Sequence, residues 1–179
     1  LGNYEVVGSL GKGGMGIVYE VKHPETQESL ALKTIEARFL QLGDGQAGRR
    51  FHHEILVLQK LEHPGVVRMF DYGLAQHPMG YEVAYFLMER LRGIALDDRL
   101  KRGEKLAPLE AARIAIDVTG ALLYLEANGV MHRDIKPGNM FVRKNGQTVL
   151  MDFGLARSAE FTRLTRAGHV IGTLPYMSP

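Results

Sequence analysis

Nine consecutive residues, Met131-His132-Arg133-Asp134-Ile135-Lys136-Pro137-Gly138-Asn139, constrain this chain more than any other stretch. They separate an apolar pattern of helical period from a strand-like run, Met140-Phe141-Val142, so a helix must hand the chain to a polar loop that ends in a strand. Asp134 and Asn139 stand on a segment stiffened by Pro137 and loosened by Gly138, an arrangement that lets a carboxylate and an amide oxygen converge on one point. Lys136 adds a fixed positive charge. A carboxylate, a cation and a neutral oxygen ligand suit the transfer of an anionic group held by Mg²⁺. A polar surface loop joining a helix to a hairpin is the plain alternative, and the rest of the chain decides between them.

Earlier in the chain, residues 4–10 and 17–21 read as two strands around the glycine-rich run Gly11-Lys12-Gly13-Gly14-Met15-Gly16. Glycines there let a backbone approach an anion closely and aim its N–H groups at it. A dinucleotide-binding fingerprint must open a helix, whereas Ile17-Val18-Tyr19-Glu20-Val21 is strand-like, so strand-turn-strand is the better reading. In Leu30-Ala31-Leu32-Lys33, Ala31 and Lys33 share one face of a strand, and Ala31 leaves room for a flat ring. Phe51, Ile55, Leu58 and Leu61 give an amphipathic helix closed by His63-Pro64-Gly65, and it carries Glu54 near its apolar stripe. Val66 to Tyr72 and Tyr81 to Met88 read as two more strands around a turn at 77–80. From Pro108, the positions Ile114, Val118, Ala121, Leu122 and Leu125 predict a long helix ending before Asn128-Gly129. Val149-Leu150-Met151 reads as the strand that leads into Asp152-Phe153-Gly154.

Four of these stretches, in this order, resemble the motifs of the eukaryotic-type (Hanks-type) protein Ser/Thr kinases, most like the bacterial members. Gly11 to Val18 is similar to the G-x-G-x-x-G-x-V loop, Leu30 to Lys33 to V-A-I-K, His132 to Asn139 to H-R-D-x-x-x-x-N, and Asp152 to Gly154 to D-F-G. The resemblance covers the whole chain but only part of a kinase domain, because Ser178-Pro179 stands for the first two letters of A-P-E. It implies an α+β, bilobal protein-kinase-like fold. A five-stranded antiparallel small-lobe sheet with one αC helix spans residues 1–88, a hinge follows at 89–93, and a mainly helical large lobe, present only in part, spans 94–179.

The resemblance also implies roles. Asp134 accepts the proton of the substrate hydroxyl, Lys136 neutralises the transferring phosphoryl group, and Lys33, paired with Glu54 of the helix, orients the α and β phosphates. Asn139 and Asp152 hold Mg²⁺, which Mn²⁺ is able to replace. Leu10, Gly11, Lys12, Gly13, Gly14, Met15 and Gly16 cover the ATP, while Val18, Ala31 and Phe141 sandwich its adenine. Met88 stands in the gatekeeper place, and main-chain groups of Glu89 and Leu91 face the adenine edge. Residues 155–171 resemble an activation segment with Thr165, or else Thr162, as a phosphorylation site for Arg133 to bind; Lys136 and Thr173 favour a serine or threonine acceptor. A pseudokinase, acting only as a nucleotide-binding regulatory module, is the first rival reading, and a small-molecule phosphotransferase the second.

Composition removes other classes. Lys and Arg exceed Asp and Glu by only 22 to 20 and are scattered, which argues against nucleic acid as a partner. There is no cysteine for disulfides or thiolate metal sites, and the seven histidines lack zinc-site spacing. No apolar run approaches the length of a membrane span and no targeting segment opens the chain. A cytoplasmic kinase, or the cytoplasmic domain of a membrane-anchored one, with a Ser/Thr protein substrate is the resulting expectation; the 179 residues alone are expected to be inactive, and oligomeric state is not legible.

Overall fold

The computed structural model describes residues 1–13, 16–36, 45–77, 80–152 and 176, with Gly13, Glu36 and residues 45–51 described by backbone alone. The described residues form two compact units, one from residues 1–61 and 68–90, the other from residues 62–67, 91–152 and Tyr176.

The first unit is built on strands β1 (Glu5–Gly13), β2 (Gly16–Lys22), β3 (Ser29–Glu36), β4 (Met69–Gln76) and β5 (Glu82–Glu89), with one helix, α1 (Gly45–Leu58). The strands form one antiparallel sheet in the order β1-β2-β3-β5-β4. Period-two alternation on β3 decides its two faces. Leu30 and Leu32 turn to one side, where they are buried with Val21 and Leu87 under Leu1, Tyr4, Tyr19 and Tyr85. Each such aliphatic side chain contributes about 1.5–3 kcal/mol when fully buried. On that face Asp71 accepts hydrogen bonds from the hydroxyls of Tyr4 (2.9 Å) and Tyr85 (3.4 Å) and from the Tyr72 amide (2.8 Å), fastening the first residues of the chain to the sheet. The other face carries two register rows, Glu20–Ala31–Met88 and Val18–Lys33–Phe86.

Two expectations shift. The helix expected to reach Leu61 ends at Leu58: the Lys60 and Leu61 amides turn to the carbonyls of Val57 and Leu58, a tighter closure than an α-helix, although Leu61 stays buried. The strand expected from Val66 begins at Met69, because Val67 donates to the Leu150 carbonyl (2.9 Å) and Leu150 donates to the Gly65 carbonyl (2.8 Å) in a parallel bridge that local sequence does not reveal.

The second unit contains β6 (Gly93–Ala95), α2 (Leu96–Lys101), α3 (Pro108–Ala127), β7 (Met140–Arg143) and β8 (Thr148–Leu150), with the three strands paired in that order. Helix α3 starts with Pro108 in its first turn, buries Ile114, Val118, Ala121 and Leu125, and ends at Asn128 before Gly129 at φ +71°. Leu122, expected in that stripe, is half-buried. β6 and α2 were not anticipated. Gly93 is required in β6, since a Cβ there would stand 2.0 Å from the Val142 carbonyl oxygen. Arg99 then ties α2 to the start of α3, donating to Glu104 (2.8 Å) and Glu110 (2.6 Å). Asp117 of α3 accepts from the Thr148 amide (2.8 Å), which sets β8 against the helix.

Candidate active site

β8 delivers the chain to Asp152, and four hydrogen bonds fix its exit. Leu150 is held at residues 65 and 67, the Met151 amide donates to the Asn139 carbonyl (2.9 Å), and the Met151 carbonyl accepts from His132 Nε2 (3.1 Å). The His132 ring is 2% exposed, and its Nδ1 accepts from the Asp134 amide at 3.4 Å. One imidazole therefore joins the loop before Asp134 to the loop before Asp152. A donor at Nε2 and an acceptor at Nδ1 define the neutral tautomer. Burial pushes its pKa below the usual histidine value, against the opposing pull of the Met151 carbonyl and the Asp134 and Asp152 charges.

Two residues beside this bridge adopt left-handed backbone conformations that L-residues seldom take: Arg133 at φ +64° and Asp152 at φ +59°. Each conformation costs of the order of 1–2 kcal/mol and persists because its surroundings fix it. Here the hydrogen bonds of His132, Met151 and Asn139 do so.

Asp134 is held by its own loop. Its Oδ2 lies 2.8 Å from Lys136 Nζ and 2.9 Å from Asn139 Nδ2, and the same amide nitrogen donates to the Asp134 carbonyl at 2.7 Å. A single 3₁₀ turn, Pro137–Asn139, brings Asn139 back, closed by its amide on the Lys136 carbonyl (2.9 Å). Asn139 is 4% exposed. With Nδ2 turned onto Asp134, the Asn139 side-chain oxygen is its remaining ligand atom, of the hard, neutral kind that Mg²⁺ accepts. Among the described residues no group of three or more His, Cys, Asp or Glu gathers as a metal cluster. An amide and one carboxylate suit a cation that keeps several of its waters.

The nucleotide-binding candidates of the first unit lie on its sheet. Val18 and Lys33 share one row and Ala31 and Met88 the next, all on one face; Ala31 is buried, and Val18, Lys33 and Met88 are half-buried. Glu54 is half-buried on α1. Leu10 is exposed, and Gly11 and Lys12 pair with Val18 and Ile17. Gly13 pairs with Gly16, and a Cβ on Gly16 would stand 1.7 Å from the Thr34 carbonyl oxygen. This glycine is thus required by the sheet itself. The Glu89 amide donates to the Arg68 carbonyl at 3.0 Å. In the second unit, Leu91 is half-buried, and Phe141 sits half-buried in β7 opposite Ala95 and Val149. Gly14, Met15, Phe153, Gly154, Thr162, Thr165 and Thr173 lie outside the described residues.

The profile of the protein kinase domain family matches residues 4–179. The chain belongs to this family. Its relatives include a probable serine/threonine-protein kinase of Streptomyces coelicolor, 36% identical over 99% of this chain and 26% of its own length. Serine/threonine-protein kinase PknH of Mycobacterium tuberculosis is 36% identical over 99% of this kinase chain and 27% of its own. A crystal structure of a mutant Mycobacterium tuberculosis PknI kinase domain superposes with a TM-score of 0.69 at 31% identity, covering 86% of this chain and 60% of that one. The chain thus spans little more than a quarter of the first two relatives. The fold is the protein kinase fold, with its five-stranded antiparallel sheet, and the resemblance to bacterial Ser/Thr kinases holds. No helix among the described residues is long and apolar enough to cross a membrane. Sequence reasoning gave His132 no role beyond its place in the motif. Its only further signal was a histidine followed by a polar loop, which does not predict burial.

Proposed function

We propose that the chain is the ATP-binding and catalytic part of a protein Ser/Thr kinase, with a small lobe at 1–88, a connector at 89–93 and part of a large lobe at 94–179. The observation that carries this reading is the Asp134 carboxylate held at once by Lys136 (2.8 Å) and Asn139 (2.9 Å). Asp134 accepts the proton of an incoming serine or threonine hydroxyl, and its two partners keep the carboxylate aimed. Lys136, beside it, offers positive charge to the transferring group. Asn139 and Asp152 are the residues that would hold Mg²⁺. When bound, Mg²⁺ neutralises phosphate charge as it develops. Lys33 and Glu54 orient the phosphates, the segment Leu10–Gly16 lies over them, and Val18, Ala31, Met88 and Phe141 with the main chain at Glu89 and Leu91 receive the adenine. Family membership supports these assignments. Phosphorylation at Thr165 or Thr162, read by Arg133, is the proposed control. The setting is bacterial signalling inside the cell.

The test is transfer of label from the γ-position of ATP to an unfolded protein acceptor by the complete domain, with and without Mg²⁺. Mg²⁺-dependent phosphoserine or phosphothreonine is the expected product. ATP binding with no transfer would favour a regulatory pseudokinase, and transfer only to small molecules would favour the other rival.

A further inference from the structure

The last ladder residue of β5, Glu89, is registered with Leu30, so the hydrogen-bond ladder between β3 and β5 gives Arg90 no register partner. A side chain performs that task. Arg90 reaches across β3 to β2 and meets Glu20 at 3.0 Å, while the other Glu20 oxygen accepts from the Ser29 hydroxyl at 2.6 Å. Strands in a sheet lie about 4.8 Å apart, so a contact from β5 to β2 over an intervening strand needs two long side chains. The Ser29 bond holds the Glu20 carboxylate independently of Arg90, and the Arg90 and Glu20 side chains are 28% and 22% exposed. An exposed pair of mobile side chains contributes little, but a pre-oriented, half-buried carboxylate with a planar guanidinium loses less entropy on pairing.

The location gives the pair its meaning. Glu20 belongs to the row Glu20–Ala31–Met88, and Arg90 follows Met88 by two residues, on the same face if the strand continued. The preceding residue is held from the other side of β5: the Glu89 amide donates to the Arg68 carbonyl (3.0 Å), and the Arg68 amide donates to Glu89 Oε1 (3.2 Å). In a continued antiparallel ladder that amide would go to the Glu89 carbonyl. Here the side-chain carboxylate takes the bond.

We propose that the Glu20–Arg90 ion pair is a positioning device that fixes the main chain at Glu89 and Arg90 and thereby sets affinity for the adenine of the nucleotide. This rests on the functional reading above, which assigns adenine recognition to main-chain groups beginning at Glu89. Neither side chain takes part in phosphoryl transfer. Their loss loosens the geometry that binds the base and leaves the step at Asp134 intact.

The test uses the complete kinase domain with Glu20→Gln, which keeps an acceptor for Ser29, Arg90→Met, which keeps the aliphatic stem, the double variant, and the exchange of Glu20→Arg with Arg90→Glu. KM for ATP and the Kd for ADP are measured beside kcat. Each single change is expected to raise KM and Kd about three- to tenfold with kcat within about twofold, the signature of lost uniform binding. The double variant should be no worse than the poorer single one, and the exchange should recover part of the affinity. Unchanged KM and Kd in the variants, additive effects, or a fall in kcat at constant KM overturns the proposal. Wild type that binds no adenine nucleotide overturns the functional reading itself, and so the two failures are distinguishable.

Discussion

The two units place their candidate residues by different physical means. In the first, Val18, Ala31, Lys33 and Met88 are set by strand register: each follows from the pairing of its neighbours, and a slip of one residue in a strand would move the candidates of that strand to the other face. In the second, Asp134, Asn139 and Asp152 lie outside the strands and are set one by one through side-chain bonds to main chain, above all those of His132 and Asn139. The first arrangement distributes the cost of a substitution over a ladder. The second concentrates it in single atoms, so substitutions in the loops are expected to act sharply and those on the strands in a graded way.

The largest effect that sharpens this contrast is expected for Asn139→Leu. It removes the amide that binds both the Asp134 carboxylate and its carbonyl, and the oxygen proposed for the metal. Phosphoryl transfer by the complete domain should fall by about 10³-fold. Stability should fall by about 1–3 kcal/mol, read from a urea midpoint. Transfer near the wild-type rate would show that the loop does not depend on this bond. Next comes Lys33→Met, expected to lower kcat/KM by about 10²-fold while leaving the sheet folded, with Glu54→Gln reproducing part of the loss. If the double variant shows simple addition of the two effects, Lys33 and Glu54 act independently and the ion-pair assignment fails.

A smaller effect separates the units by pH. The pKa of His132 is lowered in the folded state by burial, so the unfolded chain takes up its proton first as the solution is acidified. Its contribution is complete above the unfolded value of 6.5 and is lost as pH falls below it. Thermal melts of the wild-type domain between pH 7.5 and 5 should therefore decline, and His132→Phe should flatten that decline. A mutant that keeps the full slope would move its cause to other groups. The smallest effect belongs to the first unit. Tyr4→Phe removes one hydroxyl bond to Asp71, for a loss of about 1 kcal/mol and no change in kcat. Titration offers a second reading of the same contact, since burial and the Asp71 bond raise the Tyr4 pKa to about 12. The contact is then complete below pH 10 and fades between there and about 12. Altered turnover in Tyr4→Phe would show that the Tyr4 face of the sheet communicates with the reaction.

The same contrast explains what was legible beforehand. Alternation at Leu30 and Leu32, and the spacing of Ile114, Val118, Ala121 and Leu125, are local signals, and β3 and α3 follow them. The bridge of residues 65–67 to Leu150 pairs segments more than eighty residues apart, so no local pattern marks Met69 as the start of β4. β6 spans three residues and has no period to detect. The motifs brought Asp134, Lys136 and Asn139 to notice as residue types, but the burial of His132 and the Glu20–Arg90 contact depend on strands and loops that meet only after folding.

The proposed reaction depends most on Asp134 as the proton acceptor in phosphoryl transfer, oriented by Lys136 and Asn139. The direct test is Asp134→Asn in the complete domain, with transfer to a serine or threonine peptide and ATP affinity measured on the same preparation. Transfer is expected to fall by about 10²–10⁴-fold, the usual range for a general base, with ATP affinity within about twofold of wild type. Turnover by the variant comparable to wild type, at unchanged ATP affinity, would contradict it.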